Sequence, residues 1–158
     1  QLILRVARAF GAYNVTMSDV SEYARDFALA SGAIAAINPL DEHAWQSDNN
    51  FDVVFEASGV PSALANGLEV VRRGGAVVLV GTLPELFTLP GNLIMSKELK
   101  LHGSFRFAHV FQDAINMVAS GQINLDGIVT DIYGFDDVPA AMQKALAKEN
   151  VMKVQIAV

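Results

Sequence analysis

No cysteine occurs among the 158 residues, which removes disulfides and thiolate metal sites from consideration. Histidine is scarce: His43, His102 and His109 show no metal-ligand spacing among themselves, and no HExxH pattern appears. Positive charge is also short. Eleven Lys and Arg stand against seventeen Asp and Glu, a formal net charge of −6, and the basic residues are scattered. A nucleic-acid partner, whose phosphates call for a basic stripe, is therefore not expected. Long apolar runs are missing as well, since Arg, Asp, Asn or Gly interrupts each one before the ~20 residues that a membrane span needs. With no charged-then-apolar leader visible, these absences set the expectation of a cytoplasmic chain with no membrane partner.

What is present is apolar substance. Hydrophobic residues make up 52% of the chain and mean hydropathy is +0.33, which suits a parallel sheet covered by helices. The opening QLILRVARAFG places Leu2, Ile3, Val6, Ala7 and Phe10 on one helical face, with Arg5 and Arg8 opposite and Gly11 as a stop. A strand over 13–18 then ends at Asp19, followed by a helix over 21–31 closed by Gly32 and a short strand over 33–38. A helical turn is expected at 42–46. The run 51–57 reads as a strand, and Pro61 opens a helix that Gly74 and Gly75 close. AVVLVG, residues 76–81, does not alternate, which predicts a strand in mid-sheet buried on both faces. After it the pattern gives an extended piece at 87–89, a turn at Pro90 and Gly91, a short helix through Met95 and a strand over 99–105. Helices over 109–120 and 138–148 flank a strand at 128–133, and 151–158 is last.

Strands that alternate with helices imply an α/β fold, and the right-handed crossover rule leaves the Rossmann-type doubly wound parallel sheet foremost. In that fold the central first strand leads through a GxGxxG turn into the first helix. This chain opens on such a helix, so the expectation is a sheet lacking its first strand and its glycine-rich turn.

The chemistry is sought at the carboxyl ends of the strands. Asp19 is placed to accept both ribose hydroxyls of an adenosine and to repel a 2′-phosphate, favouring NAD over NADP. The same residue, with Glu22 three positions on, also reads as a helix-capping box. Ala57, Ser58 and Gly59 leave the next strand, with Gly59 opening the backbone to close approach, although strand-to-helix turns often hold Ser and Gly. Val80, Gly81 and Thr82 end the following strand, where backbone groups would meet a nicotinamide carboxamide. Phe105 and Arg106 follow the 99–105 strand and offer a guanidinium to a pyrophosphate; an exposed Arg is otherwise simply solvated. Glu56, inside an apolar strand, needs a partner and is read as part of a structural network. Asp41, Glu42 and His43 form a surface-like cluster. No catalytic constellation emerges.

The run FDVVFEASGVPSALANGLEVVRRGGAVVLVG, then SKELKLHGSFRF, and the ending VTDIYGFDDVPAAMQKALAKENVMKVQIAV resemble the medium-chain dehydrogenase/reductase superfamily, nearest its zinc-dependent alcohol and polyol dehydrogenase branch. The resemblance implies a cofactor domain over 1–107 and a segment, 108–158, that returns to a catalytic domain. It implies NAD-dependent oxidation of a secondary alcohol of a polyol or sugar acid, with zinc ligands and catalytic groups supplied by parts of the family sequence that these residues do not include. It further implies a homo-oligomer joined near the strand that begins at Leu99 and ends at Phe105. One departure stands out: where many polyol dehydrogenases carry an arginine five residues after the aspartate, this chain has Ala24, and Arg25 follows. Taken alone, the chain is expected to be inactive. The alternatives are a zinc-free relative of the quinone-reductase type and a non-catalytic remnant domain that self-associates. A methyltransferase using S-adenosylmethionine also places an acid after its second strand, but the FRF segment and the carboxyl-terminal pattern count against it.

Overall fold

The computed structural model describes residues 1–45, 50–107 and 109–158. They form two compact units: Gln1–Leu40 together with His109–Val158, and Asp41–Ala108. Every strand pairing is parallel.

In the first unit, helix α1 (Leu2–Ala9) is followed by strand β1 (Thr16–Ser18), helix α2 (Glu22–Ala30) and strand β2 (Ala35–Ile37), with Thr16 opposite Ala35. The buried face of α1 differs from the expected one. Leu4 is fully buried against Ala28 and Ala33, whereas Leu2 and Phe10 are 54% and 75% exposed. The two alanines leave room for one aliphatic side chain at close range, and Leu4 fills it. Arg5 and the exposed Arg8 both engage backbone carbonyls. Arg5 donates to the carbonyls of Asn124 and Asp126, and Arg8 to that of Gly32. The first helix is thereby tied to the 124–126 loop.

The second unit holds β3 (Phe51–Glu56), α3 (Pro61–Val70), β4 (Val71–Leu79), α4 (Gly91–Ser96) and β5 (Lys100–Gly103), with strand order β3-β4-β5. Leu64, Leu68, Val71 and Val77 make its core, and Val54, Leu93, Ile94 and Leu99 pack around them. Pro61 opens α3 as expected, because a missing N–H costs nothing in a first turn. The helix ends at Val70, however, not at Gly74 and Gly75. Val71 is already extended (φ −70°, ψ 137°), and Lys97 Nζ donates to the carbonyls of Leu68, Glu69 and Val71 at 3.1, 2.5 and 3.0 Å. Gly75 lies inside β4, where a Cβ would meet Asp52 O at 3.0 Å. As predicted, β4 lies in the middle of its sheet. It is not buried on both faces: Val77 is covered, whereas Ala76 and Val78, on the opposite face, are only half-buried.

The first unit is completed by α5 (Phe111–Ala119), β6 (Asp131–Gly134), α6 (Val138–Ala147) and β7 (Val154–Ala157), with Asp131 opposite Val154. Residues 87–89 are irregular rather than a strand, and 42–45 form the expected turn, whose last expected residue, Gln46, lies outside the described residues. Each unit keeps its own pairings, β1 with β2 and β6 with β7 in the first and β3-β4-β5 in the second, and among the described residues no strand pairs β1 with β3. The architecture is that of a Rossmann-like α/β domain without its first strand in these residues. Among the described residues no helix is long and apolar enough to cross a membrane.

Candidate functional site

At the carboxyl ends of β3 and β4, two turns are locked around one carboxyl group. Glu56, 4% exposed, accepts from Ser58 N (2.7 Å), Ser58 Oγ (2.6 Å) and Gly59 N (2.9 Å) through Oε1. Its backbone carbonyl accepts from Val80 N (2.8 Å) and Gly81 N (2.9 Å). The structural network expected of Glu56 is therefore present, and it joins the Ala57-Ser58-Gly59 turn to the Val80-Gly81-Thr82 turn. Oε2 is buried and has no hydrogen-bond partner among the described residues.

The two glycines serve this junction. Gly59 has φ +73°, and a Cβ there would stand 2.5 Å from Thr82 O; at Gly81 a Cβ would stand 2.3 Å from Gly59 N and 2.6 Å from Glu56 Oε2. Sequence reasoning assigned the missing side chain of Gly59 to ligand approach, yet the space it leaves is filled by the neighbouring turn. Ser58 is engaged in the same way. Its hydroxyl donates to Glu56 while accepting from Val60 N at 3.1 Å, so its one proton is spent within the chain. What the two turns expose is Ala57, the rim of Ser58, Val80 and the side chain of Thr82.

The third strand end adjoins the second. Ser104 N donates to Leu79 O at 2.9 Å, which carries the chain from β5 past the end of β4. Phe105 and Arg106 follow, both exposed, with the guanidinium carbon 4.9 Å from the centroid of its neighbour's ring. Arg106 has φ +55°, a left-handed conformation uncommon outside glycine and a frequent mark of functional turns.

Asp19 belongs to the other unit. It sits at the tip of β1, its amide donating to Ile37 O at 3.1 Å and its exposed carboxylate accepting from Ser21 N at 2.9 Å. The capping-box reading is corrected by this geometry. Ser21, not Asp19, is the N-cap of α2, and its Oγ accepts from Ala24 N at 3.3 Å. Asp19 makes the preceding turn and keeps its side chain at the surface. Arg25, one helical turn on, lays Nη1 across the carbonyls of Asp19 (2.8 Å) and Val20 (2.9 Å). Sequence spacing gave no reason to look for that contact, because Ala24 stands where the family arginine is expected and Arg25 follows it; helical geometry places Arg25 over the turn.

Among the described residues no three His, Cys, Asp or Glu are gathered so as to hold an ion.

The family described as zinc-binding dehydrogenase matches residues 1–120. The chain belongs to it. Escherichia coli L-idonate 5-dehydrogenase (NAD(P)(+)) is 34% identical over 98% of this chain, and Bacillus subtilis sorbitol dehydrogenase is 32% identical over 98%. The chain spans 46% of the length of each of those two proteins. The crystal structure of the Escherichia coli L-idonate 5-dehydrogenase superimposes with a TM-score of 0.90, covering 99% of this chain and 46% of the other. A Sinorhizobium meliloti structure bound to NADP also gives a TM-score of 0.90, at 26% identity, covering 99% and 48%.

Proposed function

We propose that this chain supplies the cofactor-binding part of an NAD-dependent, zinc-type dehydrogenase that oxidises a secondary alcohol of a polyol or sugar acid to a ketone. Residues 1–107 belong in this reading to the cofactor domain and 108–158 to the return toward a catalytic domain. The observation that carries it is the locked junction of Glu56, Ser58, Gly59, Val80 and Gly81, which holds two strand ends rigidly at the sheet edge where such folds bind nucleotides. The dehydrogenase names of the relatives favour it over the zinc-free quinone-reductase alternative and over a non-catalytic remnant.

Asp19 accepts the adenosine ribose hydroxyls and makes NAD the tighter ligand relative to NADP. Ala57, Ser58 and Gly59 line the adenosine side through their backbone, Val80, Gly81 and Thr82 face the nicotinamide, and Phe105 and Arg106 close over the pyrophosphate. NAD, when bound, supplies the hydride acceptor; the protein's part is to fix the ring's position against the substrate carbon and keep it there. None of the residues named here carries out the proton transfer. The expected setting is the cytoplasm, and the expected assembly a homo-oligomer joined through the exposed edge β5 and the flanking Leu99 and Phe105.

Titration of NADH into the full-length protein, followed by energy transfer from tryptophan to the bound nicotinamide, tests the reading. Asp19→Ser is expected to weaken NADH about tenfold, the loss of charge-assisted hydrogen bonds to the ribose. A wild-type protein that binds neither NADH nor NADPH, or an Asp19→Ser variant that binds NADH unchanged, overturns it.

A further inference from the structure

We infer that the buried carboxylate of Glu56 sets the balance between oxidised and reduced cofactor: its charge, which no cation compensates, favours the positive nicotinamide ring of NAD+ over the neutral ring of NADH. The inference rests on the reading above, in which the Val80-Gly81-Thr82 turn faces the nicotinamide.

The two oxygens of Glu56 have different surroundings. Oε1 accepts from Ser58 N, Ser58 Oγ and Gly59 N, and those three bonds are what hold the first turn in place. Oε2 is buried and has no hydrogen-bond partner, and no salt bridge reaches Glu56 among the described residues. The neutral oxygen of an amide would meet the same three donors. What the carboxylate adds is a negative charge, and a charge buried without a cation is a cost that a purely structural network has no reason to carry.

The charge is also placed where it can act. Oε2 lies against Gly81, at which a Cβ would stand 2.6 Å from it. Gly81 N donates to the backbone carbonyl of Glu56 at 2.9 Å, so the turn is fastened directly over the residue that bears the charge. Glycine interposes no side chain between the carboxylate and the surface of the turn, where Val80 and Thr82 are exposed. A buried charge is screened little by salt, and its field extends across a single turn of backbone. Glu56 touches no ligand in this arrangement. It acts through the turn as a positioning residue and across it as a fixed charge.

The experiment measures NADH on the full-length protein by the same energy-transfer titration and NAD+ by its displacement of NADH, for wild type, Glu56→Gln and Ser58→Ala. Glu56→Gln keeps an acceptor for the three donors and removes the charge. It is expected to weaken NAD+ relative to NADH about fivefold, the size of an attraction between opposite charges across one partly hydrated turn. Ser58→Ala removes one of the same hydrogen bonds and keeps the charge, and is expected to leave the ratio of the two affinities within about twofold of wild type while lowering the urea midpoint. Glu56→Met removes the charge without burying an amide and carries the same comparison where the glutamine variant does not fold. An unchanged ratio in the variant without the charge makes Glu56 a brace for the turns and overturns the inference, as does an equal shift of the ratio in Ser58→Ala. Either result with a wild type that binds both forms overturns this inference alone. Failure of wild type to bind either form overturns the cofactor-site reading and this one with it.

Discussion

Gly81→Ala is the substitution to which the strand-end junction is most exposed. The new Cβ would lie 2.3 Å from Gly59 N, 2.6 Å from Glu56 Oε2 and 2.9 Å from Gly59 Cα, and two of those three atoms are backbone. None can swing aside: Glu56 is held by three hydrogen bonds at Oε1, and Gly59 N is one of the donors. To reach ordinary contact distance the two turns must part by about 1 Å, which breaks the bond from Gly59 N to the carboxylate and lengthens that from Gly81 N to Glu56 O. Losing one hydrogen bond to a charged group costs about 2 kcal/mol and weakening a neutral one about 1, giving a destabilisation of about 3 kcal/mol. Gly103→Ala is the internal control. It too ends a strand, but a Cβ there meets nothing within 4 Å, and a change within about 0.5 kcal/mol is expected. Urea unfolding of the two variants beside wild type, with NADH titration of the folded protein, reads both effects. Gly81→Ala should lower the midpoint clearly and weaken NADH, while Gly103→Ala should do neither. Equal midpoints for the two variants would refute the claim that the turns are packed against each other.

Lys97→Met removes the ammonium that closes α3 on the carbonyls of Leu68, Glu69 and Val71, and should destabilise by about 2 kcal/mol in the same urea assay. Lys97→Arg should restore part of the loss. The exposed edge β5 offers Leu101 to a partner strand, so Leu101→Glu should shift an oligomer toward monomer in sedimentation at constant concentration, and a wild-type protein that is already monomeric refutes the proposed interface.

The alternation of strands and helices was legible because parallel α/β units repeat a pattern of apolar run, turn residue and amphipathic helix, and each repeat here carries its own signals: Gly32 after α2, Pro61 at the start of α3, Pro90 before α4. Element ends were less legible, and the reasons are particular. The Gly74-Gly75 pair looked like a helix stop, but the stop is made at a distance by Lys97, a residue 27 positions beyond Val70 that no local pattern connects to it. The buried face of α1 was misjudged because apolar content cannot say which residue meets a pair of alanines.

At the site the difference is of another kind. Asp19, Gly59 and Gly81 were each picked out singly, as residues that a ligand would approach, because a strand end with a small or acidic residue is all that a sequence presents. The structure joins two of them through Glu56, a residue read as structural, and lays the guanidinium of Arg25 across the carbonyl of the third. A glycine needed for turn packing and a glycine needed for ligand access look identical in sequence, and they differ in what fills the space of the absent Cβ. At Gly59 and Gly81 that space belongs to the protein. In the proposed function they therefore act through turn shape as well as by lining the ligand: they let Glu56 fasten two strand ends together, and a substitution at either is expected to act on the ligand through the shape of both turns at once.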